Sequence, residues 1–311
     1  MMDVLRRFKA VYAIYNFFHR KELLHNTPLL KKYGLKKKYW ASLSSKDFSD
    51  IQPGTDPDKK PPVTDTELFR TSSPENQKSI LGFEENGFLV LKNYISTEKA
   101  DEVNKTIAAL LAEKKLSFRY GNKIMFAIHR SPLLKNMGED KKLIAFLESL
   151  MQGDATLFQS INFIMGSEQR THSDSIHMTT FPSGGLLGVW IALEDVNENN
   201  GPLHYYPGSH RLPYYLNSDY NNEGSRFLLG PHSYAAYEDM IKNKIAEKGI
   251  SKQLFTAHKG DLLVWHANLF HGGEPQTDKS LTRKSMVFHY FNRNGICYHE
   301  ITQRPALIKT K

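Results

Sequence analysis

His172 and Asp174 stand two residues apart in the run Thr171-His172-Ser173-Asp174-Ser175-Ile176-His177. On a strand, residues i and i+2 share a face about 6.6 Å apart along the chain, so both side chains can close on one ion. Ninety-nine residues after His172, the run Leu269-Phe270-His271-Gly272-Gly273 supplies a second histidine. Two histidines and one carboxylate on one side of an ion, with the other side open, form the donor set of non-haem Fe(II) oxygenases. His172, Asp174 and His271 are therefore the expected metal ligands and catalytic centre. His266 is a fallback ligand, disfavoured because Gly272-Gly273 and the spacing to Arg283 fit His271 better. His177, three residues past Asp174, is out of phase with the metal face and is expected to line the pocket or support a ligand. Arg283 follows His271 by twelve residues, and Arg283 and Ser285 alternate onto one face. A guanidinium donates two parallel hydrogen bonds to a carboxylate and stays charged when desolvated, so this pair suits the carboxylate of a co-substrate.

Several motifs occur around these residues in a fixed order. They are His172-Ser173-Asp174, Gly188-Val189-Trp190-Ile191-Ala192-Leu193, Asn200-Gly201-Pro202-Leu203, Pro207-Gly208-Ser209-His210, and Leu269-Phe270-His271-Gly272 followed by Arg283. Together, over roughly residues 80 to 295, they resemble the phytanoyl-CoA dioxygenase family. The resemblance implies a mainly β protein, a double-stranded β-helix of the jelly-roll or cupin-like kind with flanking α-helices. It implies Fe(II) as cofactor, 2-oxoglutarate as co-substrate, and O2 as oxidant. It also implies that Gln159 or Asn162, on the strand predicted over 157–165, can donate to 2-oxoglutarate, the alternative being a polar residue on the solvent side of the sheet. The two are three apart, so a regular strand turns only one inward. His210, in a loop motif of the family, is expected to be structural. The implied reaction is hydroxylation of an aliphatic C–H of a small-molecule, lipid or carrier-bound substrate. Desaturation or epimerisation uses the same centre, whereas related halogenating enzymes lack the carboxylate that Asp174 provides. A non-catalytic β-helix binding module and a hydrolase with a different ion are the rival classes. The first leaves an intact triad unused, and the second leaves Arg283-Lys284-Ser285 without a purpose.

The whole chain bounds these readings. Its 311 residues are ample for a buried core, with ordinary soluble composition and no repeat. Cys297 is the only cysteine, which excludes an intrachain disulfide, suits a reducing, cytoplasmic setting, and reads as a small buried apolar residue. The net charge of +8 is uneven. Residues 1–40 hold ten Lys/Arg and two acids, leaving 31 basic and 31 acidic residues for the rest. The basic balance belongs to the N-terminal arm. The expected organisation is a basic amphipathic arm and connector over 1–75 and the oxygenase domain over 76–311.

In the arm, Val4, Phe8, Val11, Tyr15 and Phe18 recur on one helical face. The apolar run is broken by Asn16, lacks a cleavage site, and is too short to span a bilayer. A helix packed on the barrel or a dimer interface is one reading. An interfacial helix at an anionic membrane, helped by Lys31-Lys32 and Lys36-Lys37-Lys38, is the other. Nucleic acid is not an expected partner, because no recognition motif accompanies the charge. Residues 41–75, rich in Pro, Ser, Thr and Asp, read as an irregular connector with Gly54 and Pro57 among its breakers. Ser73-Pro74 opens a predicted helix to about Glu85, Phe88–Leu91 is a strand, and Ser96 caps a helix to about Lys114. Further strands are predicted over 124–128, 188–193, 203–206, 262–266 and 285–291, and helices over 142–151 and 234–248. Trp190 is expected in the core, and residues 211–232 read as an insertion over the barrel mouth.

Overall fold

The computed structural model describes residues 6–53 and 59–308. Val4, Gly54 and Pro57, named in the sequence expectations, lie outside the described residues. Among the described residues there are thirteen strands: β1 (Phe88–Leu91), β2 (Phe118–Arg119), β3 (Lys123–Met125), β4 (Ala155–Phe163), β5 (Thr179–Phe181), β6 (Leu186–Ala192), β7 (Leu203–Tyr205), β8 (Gln253–Phe255), β9 (Leu262–His266), β10 (His271–Gly273), β11 (Ser285–Asn292), β12 (Ile296–His299) and β13 (Arg304–Pro305). Seven of them make one sheet in the order β1-β9-β6-β11-β4-β3-β2, and two three-stranded sheets, β10-β7-β8 and β13-β12-β5, complete the β core. Every pairing between these strands is antiparallel, and most join strands that are not consecutive in sequence, such as β1 with β9 and β11 with β4 and β6. The four longest helices are α1 (Lys9–Phe18), α2 (Thr97–Ala112), α3 (Lys141–Met151) and α4 (Tyr234–Lys248).

Period-two alternation divides the large sheet into two faces. Leu262, Val264, Met286, Phe288, Val189 and Ile191 pack with Val103 and Ile107 of α2 and with Phe146 and Leu147 of α3. Leu263, Trp265, Val287, Trp190, Ile161 and Phe163 face the opposite way, toward the smaller sheet that contributes Leu203, Tyr205 and Phe255. The helix side is thus a mainly apolar layer, and the interior side is where most polar residues meet. The helices form where caps and apolar spacing coincide. Ser96 accepts from the amide of Lys99 at 3.2 Å at the start of α2, and Asp140 accepts from Lys142 and Leu143 at the start of α3.

Three local expectations differ. The helix opened by Ser73-Pro74 stops at Leu81, and after Gly82 a separate short turn runs Phe83–Asn86. The strand expected over 124–128 ends at Met125, because Phe126 is left-handed (φ 60°) and starts the turn Ala127–His129. The connector carries short helical turns at Ser45–Phe48, Val63–Asp65 and Glu67–Thr71. Packing also crosses the boundary expected near residue 75. Leu29, Leu30, Leu43 and Phe48 share a core with Ile296 and Tyr298 of β12, and the amide of Leu43 bonds the Gln303 carbonyl at 2.9 Å.

Burial holds several histidines outside the ligand set neutral. His25, His266 and His299 are each pushed down from 6.5 to about 4, mainly by desolvation. The unfolded chain therefore takes up protons below about 6.5 that the fold refuses until about 4, so the stability these groups contribute is complete above 6.5 and lost as pH falls toward 4. The urea midpoint is expected to fall between pH 7 and 5, with a shallower slope in His266→Asn. A variant slope identical to wild type would contradict the assignment of His266.

Candidate metal and co-substrate site

The site begins with a clip between two distant segments. His172 and His271 form an isolated antiparallel bridge, each donating its amide to the other's carbonyl at 2.9 Å. Asp174 is not on a strand, as the i, i+2 argument assumed. It opens a single 3-10 turn, Asp174–Ile176, that folds its carboxylate back between the two rings. The Nε2 atoms of His172 and His271 lie 3.8 and 3.9 Å from the Asp174 oxygens, and the three ligand atoms fall within 4.8 Å of one another.

Backbone carbonyls set the tautomers. Nδ1 of His172 lies 2.9 Å from the Arg170 carbonyl, and Nδ1 of His271 lies 2.9 Å from that of Leu269. A carbonyl can only accept, so each Nδ1 donates and each Nε2 presents a lone pair to the centre. Burial, then the neighbouring His271, keeps His172 neutral well below its ordinary pKa. Burial opposes charge on Asp174, yet His271, His289 and His172 outweigh it and hold the carboxyl well below the usual range. A neutral imidazole at His172 beside an ionised Asp174 carboxylate is the protonation state a divalent ion needs of those two ligands.

A surrounding layer holds the carboxylate. Trp265 Nε1 donates to Asp174 Oδ2 at 2.7 Å, and His289 Nε2 lies 3.6 Å from the same oxygen. Trp265 reaches Asp174 because Gly188, its direct partner across β6 and β9, has no side chain. A Cβ there would lie 2.6 Å from the indole nitrogen. Arg170, whose carbonyl orients His172, is anchored to α4 by ion pairs with Glu238 at 3.3 Å and with Asp239. Gln169 links the Lys123 ammonium, at 2.9 Å, to Nε2 of His172, at 3.1 Å.

Arg283 lies fully buried just before β11, its amide bonded to the Ile164 carbonyl at 2.9 Å. Its guanidinium sits over the rings of Phe163 (5.4 Å) and Trp190 (5.8 Å), and Nη1 donates to Ser285 Oγ at 3.0 Å. Nε and Nη2 have no hydrogen-bond partner among the described residues, and burial lowers the pKa to about 10. A buried cation with two unused donors is costly unless an anion meets it.

The other expected residues separate by register. Gln159 pairs with His289 and so faces the interior. Asn162, named as an alternative donor to the co-substrate, pairs with Met286 and Ile124 and is turned to the helix-packed face, because it alternates with the interior residues Ile161 and Phe163. His266 alternates with Trp265 and leaves the site the same way. Its ring lies beside those of His210 (5.4 Å) and Tyr214 (6.5 Å). His210 itself bonds the Glu84 carbonyl. His177 is not among the ligands. It lies against Tyr234 (4.5 Å) and His299 (5.3 Å), and burial, then His299, pushes it down to about 3. Trp190 is core, 1% exposed.

Sequence reasoning missed Trp265, Gly188, His289, Gln169, Lys123 and Tyr234 as parts of this site. The period-two series Arg283, Ser285, Val287 leads to His289 and was an available signal. For the others, proximity arises only when strands pair.

The sequence profile of the phytanoyl-CoA dioxygenase (PhyH) family matches residues 83–285. A phytanoyl-CoA dioxygenase domain-containing protein 1 from Danio rerio is 29% identical over 178 residues, covering 54% of this chain and 56% of that protein. The chain spans little more than half the length of such relatives. An ectoine dioxygenase from Halomonas elongata is 26% identical over 247 residues, 73% of this chain and 74% of its own. Among solved structures, the non-heme alpha ketoglutarate dependent carbocyclase SnoK from nogalamycin biosynthesis shares the fold, with a TM-score of 0.58, 16% identity, and coverage of 72% and 86% of the two chains.

Loss of support for Asp174 is expected to show in metal affinity. Trp265→Phe, which deletes the indole donor, and Gly188→Ala, which displaces it, should each weaken Fe(II) binding about 10- to 100-fold in a chelator competition. Unchanged affinity in both variants would remove Trp265 from the support of the site.

Proposed function

The chain belongs to the phytanoyl-CoA dioxygenase family, and on that premise we propose that it is an Fe(II)- and 2-oxoglutarate-dependent dioxygenase hydroxylating an aliphatic C–H of a small-molecule, lipid or carrier-bound substrate. The observation that carries the reading is the pairing of a buried His/Asp/His donor set with a buried, partly unpartnered Arg283. Iron with 2-oxoglutarate and O2 supplies C–H oxidation coupled to release of succinate and carbon dioxide. His172, Asp174 and His271 would hold the ion through two imidazole nitrogens and one carboxylate, the donor set suited to Fe(II). Arg283 donates its Nε and Nη2 protons to the distal carboxylate of 2-oxoglutarate, and the Ser285 hydroxyl completes that pocket. Gln159, on the same interior face, orients the co-substrate further along β4. Phe163 and Trp190 flank the guanidinium and exclude water from its ion pair, which strengthens it. Asp174 occupies the position a halide would need, which favours hydroxylation over halogenation. A hydrolase reading leaves the two free Arg283 donors without an anion to bind. A cytoplasmic location is part of the proposal. It suits the lone Cys297, which is buried and whose thiol burial pushes up to about 12. No described helix is long and apolar enough to cross a membrane.

Anaerobic addition of Fe(II) and 2-oxoglutarate is expected to raise a weak visible charge-transfer band in wild type, and Asp174→Ala and His271→Ala should lose it. In Arg283→Ala the half-saturating 2-oxoglutarate concentration should rise roughly 10- to 100-fold, since two charge-assisted hydrogen bonds disappear. Wild-type protein with iron demonstrably bound but no band would defeat the co-substrate assignment and leave the binding-module reading.

A further inference from the structure

Helix α1 is amphipathic in the reverse of the usual sense. The residue it buries is polar: Asn16 is 1% exposed and its amide donates to the Trp40 carbonyl at 3.0 Å. Its apolar residues face out, with Ile14 60% and Phe18 76% exposed and Val11 and Phe17 nearly half exposed. The reading of this helix as packed on the barrel through its apolar face is therefore excluded for this chain fold.

The apolar surface does not stop at the helix. Phe8 bridges Leu228, and the Lys9 amide bonds the Phe227 carbonyl at 3.0 Å, which brings the exposed Phe227 of the 211–232 insertion alongside. On another side, the Phe17 ring meets Trp40 edge-on at 6.0 Å. Trp40 forms part of an open groove of about 460 Å³ lined also by Lys31, Lys36, Lys37, Lys38 and Tyr39. Lys37 pairs with Asp47 at 2.6 Å, but Lys31, Lys36 and Lys38 have no carboxylate partner among the described residues. Lys38 lies over the Trp40 ring at 5.3 Å.

We infer that this continuous face docks on an anionic lipid bilayer, with Ile14, Phe18 and Phe227 entering the acyl boundary and the lysine groove taking headgroup phosphates. Exposed aromatic and aliphatic side chains beside unpaired lysines, with Trp40 and Tyr39 between them, match the layering of a membrane interface. The charge distribution selects this occupant. The first 40 residues carry the whole net +8 of the chain, so apposing two copies of this face would bring like charges together, whereas an anionic surface is attracted. A nucleic acid would satisfy the lysines and leave the apolar ridge in water. The inference is independent of the iron chemistry.

Flotation of the full chain with phosphatidylcholine vesicles, with and without phosphatidylserine, tests it. Removing residues 1–42 is not a clean test, since Leu29 and Leu30 belong to a core shared with β12. The double variants Ile14→Asp/Phe18→Asp and Lys36→Glu/Lys38→Glu alter only one property each. Wild type should float with phosphatidylserine vesicles, lose that binding in high salt, and bind at least about tenfold more tightly than either variant. Each variant should keep the wild-type urea midpoint and charge-transfer band. Absence of flotation, or equal flotation of wild type and both variants, overturns the inference. So does a concentration-dependent dimer dissolved by Ile14→Asp/Phe18→Asp without vesicle binding, which would assign the face to a second copy. Oligonucleotide binding that survives Ile14→Asp/Phe18→Asp, without vesicle binding, would assign the lysines to nucleic acid.

Discussion

The reciprocal amide–carbonyl pair between His172 and His271 is the constraint on which the site depends. Two hydrogen bonds join segments that are ninety-nine residues apart in sequence, and they fix the spacing of two imidazoles before any ion is involved. Both rings are then turned by carbonyls two residues upstream, so the same backbone that brings them together also sets which nitrogen faces inward. Asp174 completes the set from a tight turn. Its carboxylate is held by an indole that fits only because the facing strand carries glycine. Preorganisation of this kind removes the reorganisation an ion would otherwise have to drive.

Arg283 follows a second constraint, the cost of an unpaired buried charge. The residue is wrapped by Phe163 and Trp190 and satisfied on one side by Ser285 alone. An interior that excludes water makes an ion pair strong, and the same exclusion makes an unmet guanidinium expensive. A fold that retains such a group rewards the ligand that neutralises it. The apolar layer under α2 and α3 supplies the rigidity this requires, because the sheet presents one face mainly to packing and keeps the other for polar chemistry.

The N-terminal segment obeys different physics. Leu29, Leu30, Leu43 and Phe48 are core, closing the sheet that carries β12. Helix α1 is held by backbone pairing at its start to the 211–232 insertion and by the buried Asn16, while Ile14, Phe17 and Phe18 meet solvent. A helix that spends its polar residue on docking leaves its apolar face for something outside the chain.

The sequence alone determined the ligand types, their order and most of the elements that carry them. H-x-D, the later His-Gly and the arginine twelve further on are local patterns, and helix caps such as Ser96 or the 234–248 periodicity act within a few residues. The matching charge count of the body placed the whole basic excess in the arm. Only tertiary structure decided which face each strand residue took. Gln159 and Asn162 were equivalent until strand register turned one inward and the other under the helices. Trp265 and Gly188 read as ordinary strand residues until β6 and β9 paired. The direction of α1 was also settled there, since periodicity identifies an apolar face but not what covers it. Such choices depend on contacts between residues far apart in the chain, and no local pattern encodes them.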